Sequence, residues 1–201
     1  MKIVPYVTIE GRSPLQRNPA KSMAFQTASN LSSNHERLYL ADLDGIFKNK
    51  PQLDIAQRVC DELATLYEGG IRYSNNVIDM LITGAERAVV GTSTLLDFSE
   101  LKGAFKLSEN ITFKVDFRDG IVSFDPEVAG RAISDLFRDV AEVGVADVIV
   151  PIALVDEANV AREKHGFTLG VIAPGSERGR LEGLGVDYMV TEDHGSLMPD
   201  E

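Results

Sequence analysis

Cysteine and histidine are scarce in this sequence, which contains one cysteine, Cys60, and three scattered histidines, His35, His165 and His194. A single cysteine cannot form an internal disulfide, and the Cys/His spacings of zinc sites do not occur. A dedicated transition-metal site is therefore not expected.

Basic residues are also few, because 20 Lys and Arg stand against 31 Asp and Glu, which gives a net charge of −11. Nucleic-acid binding requires clustered Lys and Arg that neutralise phosphates, so we expect no nucleic-acid partner. The same charge disfavours contact with an anionic membrane surface. A local basic pocket for a small anion remains compatible with this composition.

Long apolar runs are missing as well. No stretch approaches the roughly 18 apolar residues of a membrane helix, and the opening "MKIVPYVTIEG" is too short an apolar segment for a signal peptide and lacks a cleavage site. We expect a protein of the cytoplasm. With 201 residues, 44% hydrophobic and 25% charged, the chain suits one globular domain over residues 1–201.

Short β-branched runs recur along the chain, and most are continuously apolar, as in parallel strands that are covered on both sides. The expected strands span residues 2–9, 37–43, 63–68, 87–92, 110–117, 146–153, 167–174 and 186–192. Helix-like segments separate them. Eight strands alternating with helices predict an α/β fold, a compact (β/α)8 barrel.

Three of the connecting segments have clear helical patterns, at residues 51–62, 74–85 and 125–144. Ser74 and Asp125 are the expected N-caps of the second and third, and Gly144 the expected end of the third. The first crossover is polar and predicts a weak helix 1, and the segment "DHGSLMPDE" predicts a missing or rudimentary helix 8. Because these two helices are neighbours in a closed barrel, we expect a homo-oligomer that covers the strand 8/strand 1 side; a loosely ordered edge is the alternative.

The stretch "LYLADLDGIF" allows two interpretations. An apolar strand that ends in Asp-x-Asp-Gly resembles haloacid-dehalogenase-like phosphatases, and it equally suits the end of a barrel strand. The phosphatases require Thr after the glycine and a later paired-acid motif for magnesium. Here Ile46 follows the glycine and no such motif appears, which favours the barrel.

Glycine-rich turns follow strands three and four. Gly69 and Gly70 end strand three, and "GTS" from Gly91 to Ser93, with Thr92 between them, ends strand four. Glycine lets the backbone approach an anion closely, and hydroxyls and helix N-termini add donors. The guanidinium of Arg72 could donate two parallel hydrogen bonds to a phosphate. The pattern therefore predicts a phosphate site, although simple tight turns would also require glycine.

The stretches "LYLADLDGI", "YEGGIRYSNNVIDMLITGAERAVVGTSTL" and "FKVDFRDGIV" resemble the ProFAR isomerase family of histidine biosynthesis over roughly residues 36–122. That resemblance implies a (β/α)8 barrel and an aldose-to-ketose rearrangement of a bis-phosphorylated substrate. It also implies no metal or organic cofactor, and a phosphorylated small molecule as ligand.

The chain departs from this family at several positions. Thr8 stands where the family has the catalytic Asp of strand one, and a threonine hydroxyl cannot exchange protons as a carboxylate does. In place of the family's strand-six motif the chain reads "VPIALVDEA", where Asp156 is the candidate acid. The second phosphate motif is reduced to Gly175 and Ser176. We therefore expect an activity other than ProFAR isomerisation, in a relative similar to short barrels associated with one-carbon (tetrahydromethanopterin) pathways.

The remaining carboxylates at strand ends supply the candidate catalytic residues. We expect Asp116, which the family retains, to be the acid/base, with Asp42 as a second carboxylate or as the acceptor of a ribose hydroxyl. Arg118, two residues beyond Asp116, would share its face and stabilise its charge. The other candidates are Thr8, Asp44, Glu68 and Asp156. Helix caps or loop salt bridges are the alternative for Asp116 and Asp42.

Two classes of function follow from these residues. The first is an isomerase, lyase or condensing enzyme that uses carboxylate acid–base chemistry on a phosphorylated metabolite. The second is a catalytically silent barrel that binds a metabolite or supports a partner enzyme. A barrel mouth on which Asp42, Asp116 and the glycine turns converge would favour the first.

Overall fold

Eight parallel strands close into a barrel in the order β1 to β8, with β8 paired to β1. The computed structural model describes residues 1–11 and 19–192, without the side chains of residues 19–23. The strands are β1 Lys2–Ile9, β2 Arg37–Asp42, β3 Ala64–Glu68, β4 Arg87–Gly91, β5 Ile111–Lys114, β6 Asp147–Pro151, β7 Thr168–Ile172 and β8 Tyr188–Thr191. The predicted barrel is confirmed, and the phosphatase interpretation of Asp-x-Asp-Gly is wrong.

Helices follow the strands on the outside of the barrel. They are α1 Pro19–Leu31, α2 Leu43–Lys48, α3 Leu53–Cys60, α4 Asn76–Ile82, α5 Phe98–Leu107, α6 Pro126–Ala129, α7 Ile133–Val143, α8 Val155–His165 and α9 Arg178–Gly183. The polar first crossover still forms a helix of 13 residues. The prediction about helix 8 falls on residues outside the described part of the chain, and so does His194. No helix in residues 19–192 is long and apolar enough to span a bilayer.

Two helix predictions need correction. Ser74 is not the N-cap of α4, because its backbone N–H donates to the carboxylate of Glu100 at 2.6 Å and the helix begins two residues later. The long helix predicted over 125–144 is divided into α6 and α7, since Ala132 between them is extended, with ψ 140°. Asp125 does cap α6, accepting the Glu127 N–H, and Gly144 ends α7 in the left-handed region at φ 101°.

Strand β5 is shorter than predicted because the chain turns back on itself after Val115. The Val122 N–H donates to the carbonyl of Asp116 at 2.8 Å, and Phe117 pairs with Ile121 as an antiparallel bridge. Asp119 occupies the left-handed region at this tight turn, with φ 56°. The turn places Asp116 at the start of a short hairpin at the barrel mouth.

Strand alternation divides the core into two parts. Residues that point into the barrel form one cluster, which comprises Val4, Tyr39, Ala41, Leu66, Val89, Ile149, Tyr188 and Val190. Residues of the opposite parity pack outward against the helices in a larger cluster. On this alternation Tyr6 and Thr8 of β1 face inward, and Asp42, which follows the inward Ala41, faces outward.

The loops after β2 and β3 are in direct backbone contact. A Cβ on Gly45 would overlap the carbonyl of Gly69, and one on Gly70 would overlap the carbonyl of Gly45. Gly70 also lies in the left-handed region, with φ 77°. Glycine at positions 45 and 70 is therefore explained by the packing of these two loops.

Arg72 fastens the same two loops together. Its Nη1 donates to the carbonyls of Gly70 at 2.8 Å and Gly45 at 3.1 Å and to the Asn49 side chain at 3.1 Å. Its Nη2 donates to the carbonyl of Ile46 at 2.8 Å. One guanidinium thus binds three main-chain oxygens and one amide oxygen from two consecutive loops.

We expect Gly70→Ala to lower the free energy of unfolding by about 3 kcal/mol or more. A left-handed backbone costs a non-glycine residue ~1–3 kcal/mol, and overlap with Gly45 would push the loops apart. Urea denaturation measures the change. The matched control is Gly179→Ala in α9, where a Cβ meets open space, and its effect should stay within about 1 kcal/mol. Equal stability of both variants would contradict the packing explanation.

For Arg72→Gln we expect a loss of about 2–3 kcal/mol in the free energy of unfolding, because hydrogen bonds from a charged donor to four oxygens are removed. Arg118→Gln is the matched control, since Arg118 is exposed and no side-chain partner of it exists among the described residues. That control should change stability by less than about 0.5 kcal/mol. A similarly small effect at position 72 would show that the guanidinium does not hold the loops.

Candidate active site

A buried cluster of one ammonium and two carboxylates lies inside the barrel at the end where the strands finish. Lys114 Nζ is 2.7 Å from Glu68 Oε1 and 2.8 Å from Asp116 Oδ1. The phenol of Tyr39 donates to Glu68 Oε2 at 2.6 Å. Residues of β2, β3 and β5 therefore meet at the mouth of the barrel, the face that carries the chemistry in barrels of this type.

The charges in the cluster support one another. Burial alone would lower the pKa of Lys114, but the carboxylates of Glu68 and Asp116 raise it well above its ordinary value. The Lys114 side chain is 13% exposed, Glu68 1% and Asp116 19%. Lys114 is therefore an ammonium at neutral pH, and Asp116 is the carboxylate of the pair that is more open to the mouth.

The turn after β4 is built around Asp116. The Asp116 N–H donates to the Thr92 hydroxyl at 2.9 Å, and the Ser93 N–H donates to Asp116 Oδ2 at 3.1 Å. A Cβ on Gly91 would come within 3.0 Å of Asp116 Oδ2 and 3.3 Å of Glu68 Oε1. The Gly91–Ser93 turn was predicted to bind phosphate, and in the structure it orients the predicted acid/base.

Two tyrosines line the barrel beside the cluster. Tyr6 and Tyr39 stack with ring centroids 5.2 Å apart and an interplanar angle of 12°. Burial, then the charge of Glu68, raises the pKa of both phenols. Lys114, Tyr6 and Tyr39 were all missed in the sequence. Period-two alternation, which indicated Arg118 two residues after Asp116, equally indicates Lys114 two residues before it.

Side chains of α4 and α5 accept hydrogen bonds from the backbone donors of the loop after β3 that were predicted for phosphate. Asn76 Oδ1 accepts the N–H groups of Arg72 at 3.4 Å and Tyr73 at 3.1 Å. Glu100 Oε2 accepts the Ser74 N–H, as described above. A Cβ on Gly69 would overlap the Met80 sulfur, so packing explains this glycine too. A phosphate bound to these amides would have to displace acceptors of the chain itself.

Asp42 does not join the cluster. Its Oδ1 accepts the Gly45 N–H at 3.0 Å, and its Oδ2 accepts the Gln52 N–H at 2.5 Å and the Tyr67 phenol at 2.9 Å. It is fully buried on the outer side of β2, where it caps α2. Asp42 therefore does not converge with Asp116 at the mouth, and Glu68 is the second carboxylate there.

Asp44 is a second residue of the motif with a role in loop structure. Its carboxylate accepts the Gly11 N–H at 2.8 Å and an ion pair from Lys48 at 2.6 Å. It is 6% exposed in the first turn of α2. Both aspartates of the "ADLDG" strand end thus hold the backbone after β2: Asp42 caps α2, as its alternative predicted, and Asp44 binds Gly11 and Lys48.

The other candidates are spread over the mouth and the surface. Thr8 faces the mouth from the exposed end of β1. Asp156 lies on the surface in an ion pair with Arg180 at 3.0 Å and is 69% exposed, so it is not part of the cluster. Gly175 and Ser176 form a 3-10 turn before α9. Arg118 is exposed, and Lys114 supplies the cation that was expected from it.

A cavity of about 840 Å³ opens at the opposite end of the barrel, where the strands begin. Charged residues on its wall pair with one another, as Lys2 does with Glu36 at 2.8 Å and Arg37 with Glu86. The strand-start end of such barrels serves stability rather than chemistry. The mouth with Lys114 is therefore the candidate active site.

Comparison with known proteins identifies the family. The model of the family described as "Histidine biosynthesis protein" matches residues 8–156, a range that contains Glu68, Lys114 and Asp116. The relatives include 1-(5-phosphoribosyl)-5-((5-phosphoribosylamino)methylideneamino)imidazole-4-carboxamide isomerases. The one from Cupriavidus necator is 32% identical over 121 residues, which cover 56% of this chain and 49% of the relative. The one from Burkholderia mallei is 31% identical over 121 residues, covering 56% and 48%.

The chain spans about half the length of these curated relatives. The family model nevertheless covers most of the barrel, from the end of β1 to the start of α8, and the closed eight-stranded parallel sheet agrees with the fold that the motifs of β2 to β5 predicted. The chain therefore belongs to the histidine biosynthesis protein family.

Proposed function

We propose that the chain is an isomerase, lyase or condensing enzyme that transfers protons within a small phosphorylated metabolite, with Asp116 as the acid/base. The observation that carries the proposal is the Lys114 ammonium held between Glu68 and Asp116 at the barrel mouth. Perturbed, partly buried charges that converge on the catalytic face of a barrel are typical of active sites. The names of the two relatives reported above, which are isomerases, support the same class of reaction.

The geometry suggests a division of roles. Asp116 is the more open carboxylate, so it would take a proton from the carbon next to a substrate carbonyl. The Lys114 ammonium beside it would stabilise the negative charge that develops on the substrate oxygen. Glu68, held by Lys114 and Tyr39, would position that ammonium. A Schiff base on Lys114 is disfavoured, since its raised pKa keeps the amine protonated.

A phosphate on the substrate is supported by the phosphoribosyl groups in the names of the relatives. It is also supported by Arg72, which pairs with no carboxylate among the described residues and thus leaves a positive charge at the β3 loop. Arg72 Nε is a donor that the loop contacts do not use. Binding to the amides of Ser74 or Ser93 would require Glu100 or Asp116 to move away. Gly175 and Ser176 remain the proposed second anion site.

We propose a substrate other than ProFAR, because Thr8 supplies no carboxylate at the mouth end of β1 and Glu68 and Lys114 form the charged pair instead. The resemblance to short barrels of tetrahydromethanopterin pathways supports a place in one-carbon cofactor biosynthesis. A direct assay for ProFAR conversion belongs in the substrate panel, and turnover of ProFAR would remove this part of the proposal.

A silent binding or scaffolding barrel is the second candidate. The observation in its favour is that side chains of the protein itself bind the donors expected to hold phosphate. Such a protein would bind a metabolite without exchanging its protons. The experiment below separates the two functions.

We also propose a homo-oligomer joined on the β8/β1 side. Ile3 and Val7 on the outer side of β1 are only partly buried, although they belong to the outer apolar layer.

The experiment starts with a thermal-shift screen against phosphorylated aldoses and ketoses, ProFAR, and phosphorylated pterin and furan compounds. Hits are then incubated in D₂O, and deuterium incorporation at carbon is followed by NMR. We expect the wild type to exchange a carbon-bound proton and Asp116→Asn to reduce the rate by about 100-fold or more, as expected when a general base is lost. Glu68→Gln should reduce it as well, through Lys114.

Asp156→Asn is the matched control, because it makes the same change in an exposed surface pair, and its exchange rate should equal that of the wild type. Binding of a compound without any exchange would support the silent barrel. Exchange that survives in Asp116→Asn would remove Asp116 from the role of acid/base.

For the oligomer, sedimentation velocity at micromolar concentration should show a dimer or larger species. Ile3→Lys should shift that species to the monomer, since a charge on a buried apolar contact is unfavourable. The exposed charge swap Glu163→Lys on α8 is the control and should leave the sedimentation coefficient unchanged. A monomeric wild type would refute this proposal without affecting the proposed chemistry.

A further inference from the structure

The phenol of Tyr6 is set apart from the other tyrosines that are buried in or around the barrel. Tyr39 donates to Glu68, Tyr67 to Asp42 and Tyr188 to Asp147. Each of these three phenols thus has a carboxylate partner. The Tyr6 hydroxyl has no hydrogen-bond partner among the described residues, although its ring is stacked on Tyr39.

Tyr6 is also placed at the charged cluster. It faces inward from β1, two residues before Thr8. Its side chain is half-buried, whereas Tyr39 is fully buried. Four charged groups at the mouth act on it electrostatically, namely Glu68, Lys114, Glu192 and Asp116. Its ring is thus fixed by stacking, while its hydroxyl stays available to a ligand in the mouth.

The other proton donors of the mouth are already engaged. Lys114 binds both carboxylates, and Tyr39 donates to Glu68. The Thr8 hydroxyl is too weak an acid to give up its proton near neutral pH. Burial and the negative charges around it raise the pKa of Tyr6, despite the opposing effect of Lys114, so its phenol is protonated at neutral pH.

We propose that Tyr6 is a further catalytic residue, which donates its phenolic proton to the substrate's carbonyl oxygen while Asp116 removes a proton from the adjacent carbon. The inference rests on the proposed function and specifies the substrate as a hydroxycarbonyl compound. The first step converts carbonyl and adjacent C–H into an enediol, leaving Asp116 protonated and Tyr6 as a phenolate. In the second step the phenolate takes the proton of the neighbouring hydroxyl and Asp116 returns its proton to the former carbonyl carbon. Both side chains end as they began, and no electron acceptor is needed.

The test compares Tyr6→Phe with the wild type on the compound whose exchange the screen identifies. Removal of a general acid should lower kcat by about 100-fold, with KM changed by less than about three-fold. The wild-type rate should fall at high pH as the phenol ionises, and Tyr6→Phe should lack this alkaline limb. The thermal unfolding midpoint should stay unchanged, because the stacked ring is retained.

Tyr188→Phe is the matched control, since Tyr188 lies at the strand-start end of the barrel with Asp147 as its partner, and its loss of a hydroxyl should leave kcat at the wild-type value. A kcat within about three-fold of wild type in Tyr6→Phe, with Asp116→Asn inactive, would overturn the role of Tyr6 and leave the proposed function standing. A loss confined to KM would overturn it equally. Absence of exchange in the wild type with every compound would overturn both.

Discussion

The ammonium of Lys114 inside the barrel is the interaction on which the mouth depends. A charge at this depth is tolerated only when it is paired, and the pairing is supplied by two carboxylates from β3 and β5. This arrangement of charges requires glycine at residue 91, because a Cβ there would press on the carboxylates of Asp116 and Glu68. The β4 turn then holds Asp116 through Ser93 and Thr92. Removing one charge would leave the others buried without compensation.

The backbone groups of the loops around the mouth are also paired, in this case by side chains of the protein. Backbone donors at the ends of parallel strands need acceptors, and this chain provides them from Asn76, Glu100 and Asp42. Arg72 does the same for the carbonyl oxygens of the β2 and β3 loops. These contacts join the segments of the rim to one another without any ligand. They also mean that a bound phosphate would compete with acceptors of the protein instead of entering an open set of donors.

The barrel could be predicted from sequence because its signals are local. Apolar runs, helix periodicity and glycine turns mark each strand and connection within a few residues, and all eight strands lie inside the predicted ranges, although β5 is only half as long as predicted. The site depends on which residue of a strand end points inward, and that is set by register. Asp42 and Glu68 both end strands, yet only Glu68 has the inward parity. Period-two alternation places Lys114 on the same face as Asp116, but its role depends on Glu68 of β3, which only the closed barrel brings within 2.7 Å of it.

The distribution of charge at the mouth also favours one orientation of a ligand there. Glu68, Asp116 and Glu192 surround Tyr6 with negative charge, and Lys114 alone offsets it, already shared by two carboxylates. A phosphate dianion placed at the cluster would therefore be repelled, whereas the guanidinium of Arg72 at the β3 loop, which pairs with no carboxylate among the described residues, would attract it. A carbonyl group is neutral and can approach the cluster. A phosphorylated hydroxycarbonyl compound would thus bind with its phosphate at the rim and its reacting carbon over Asp116, which is the orientation that proton transfer requires.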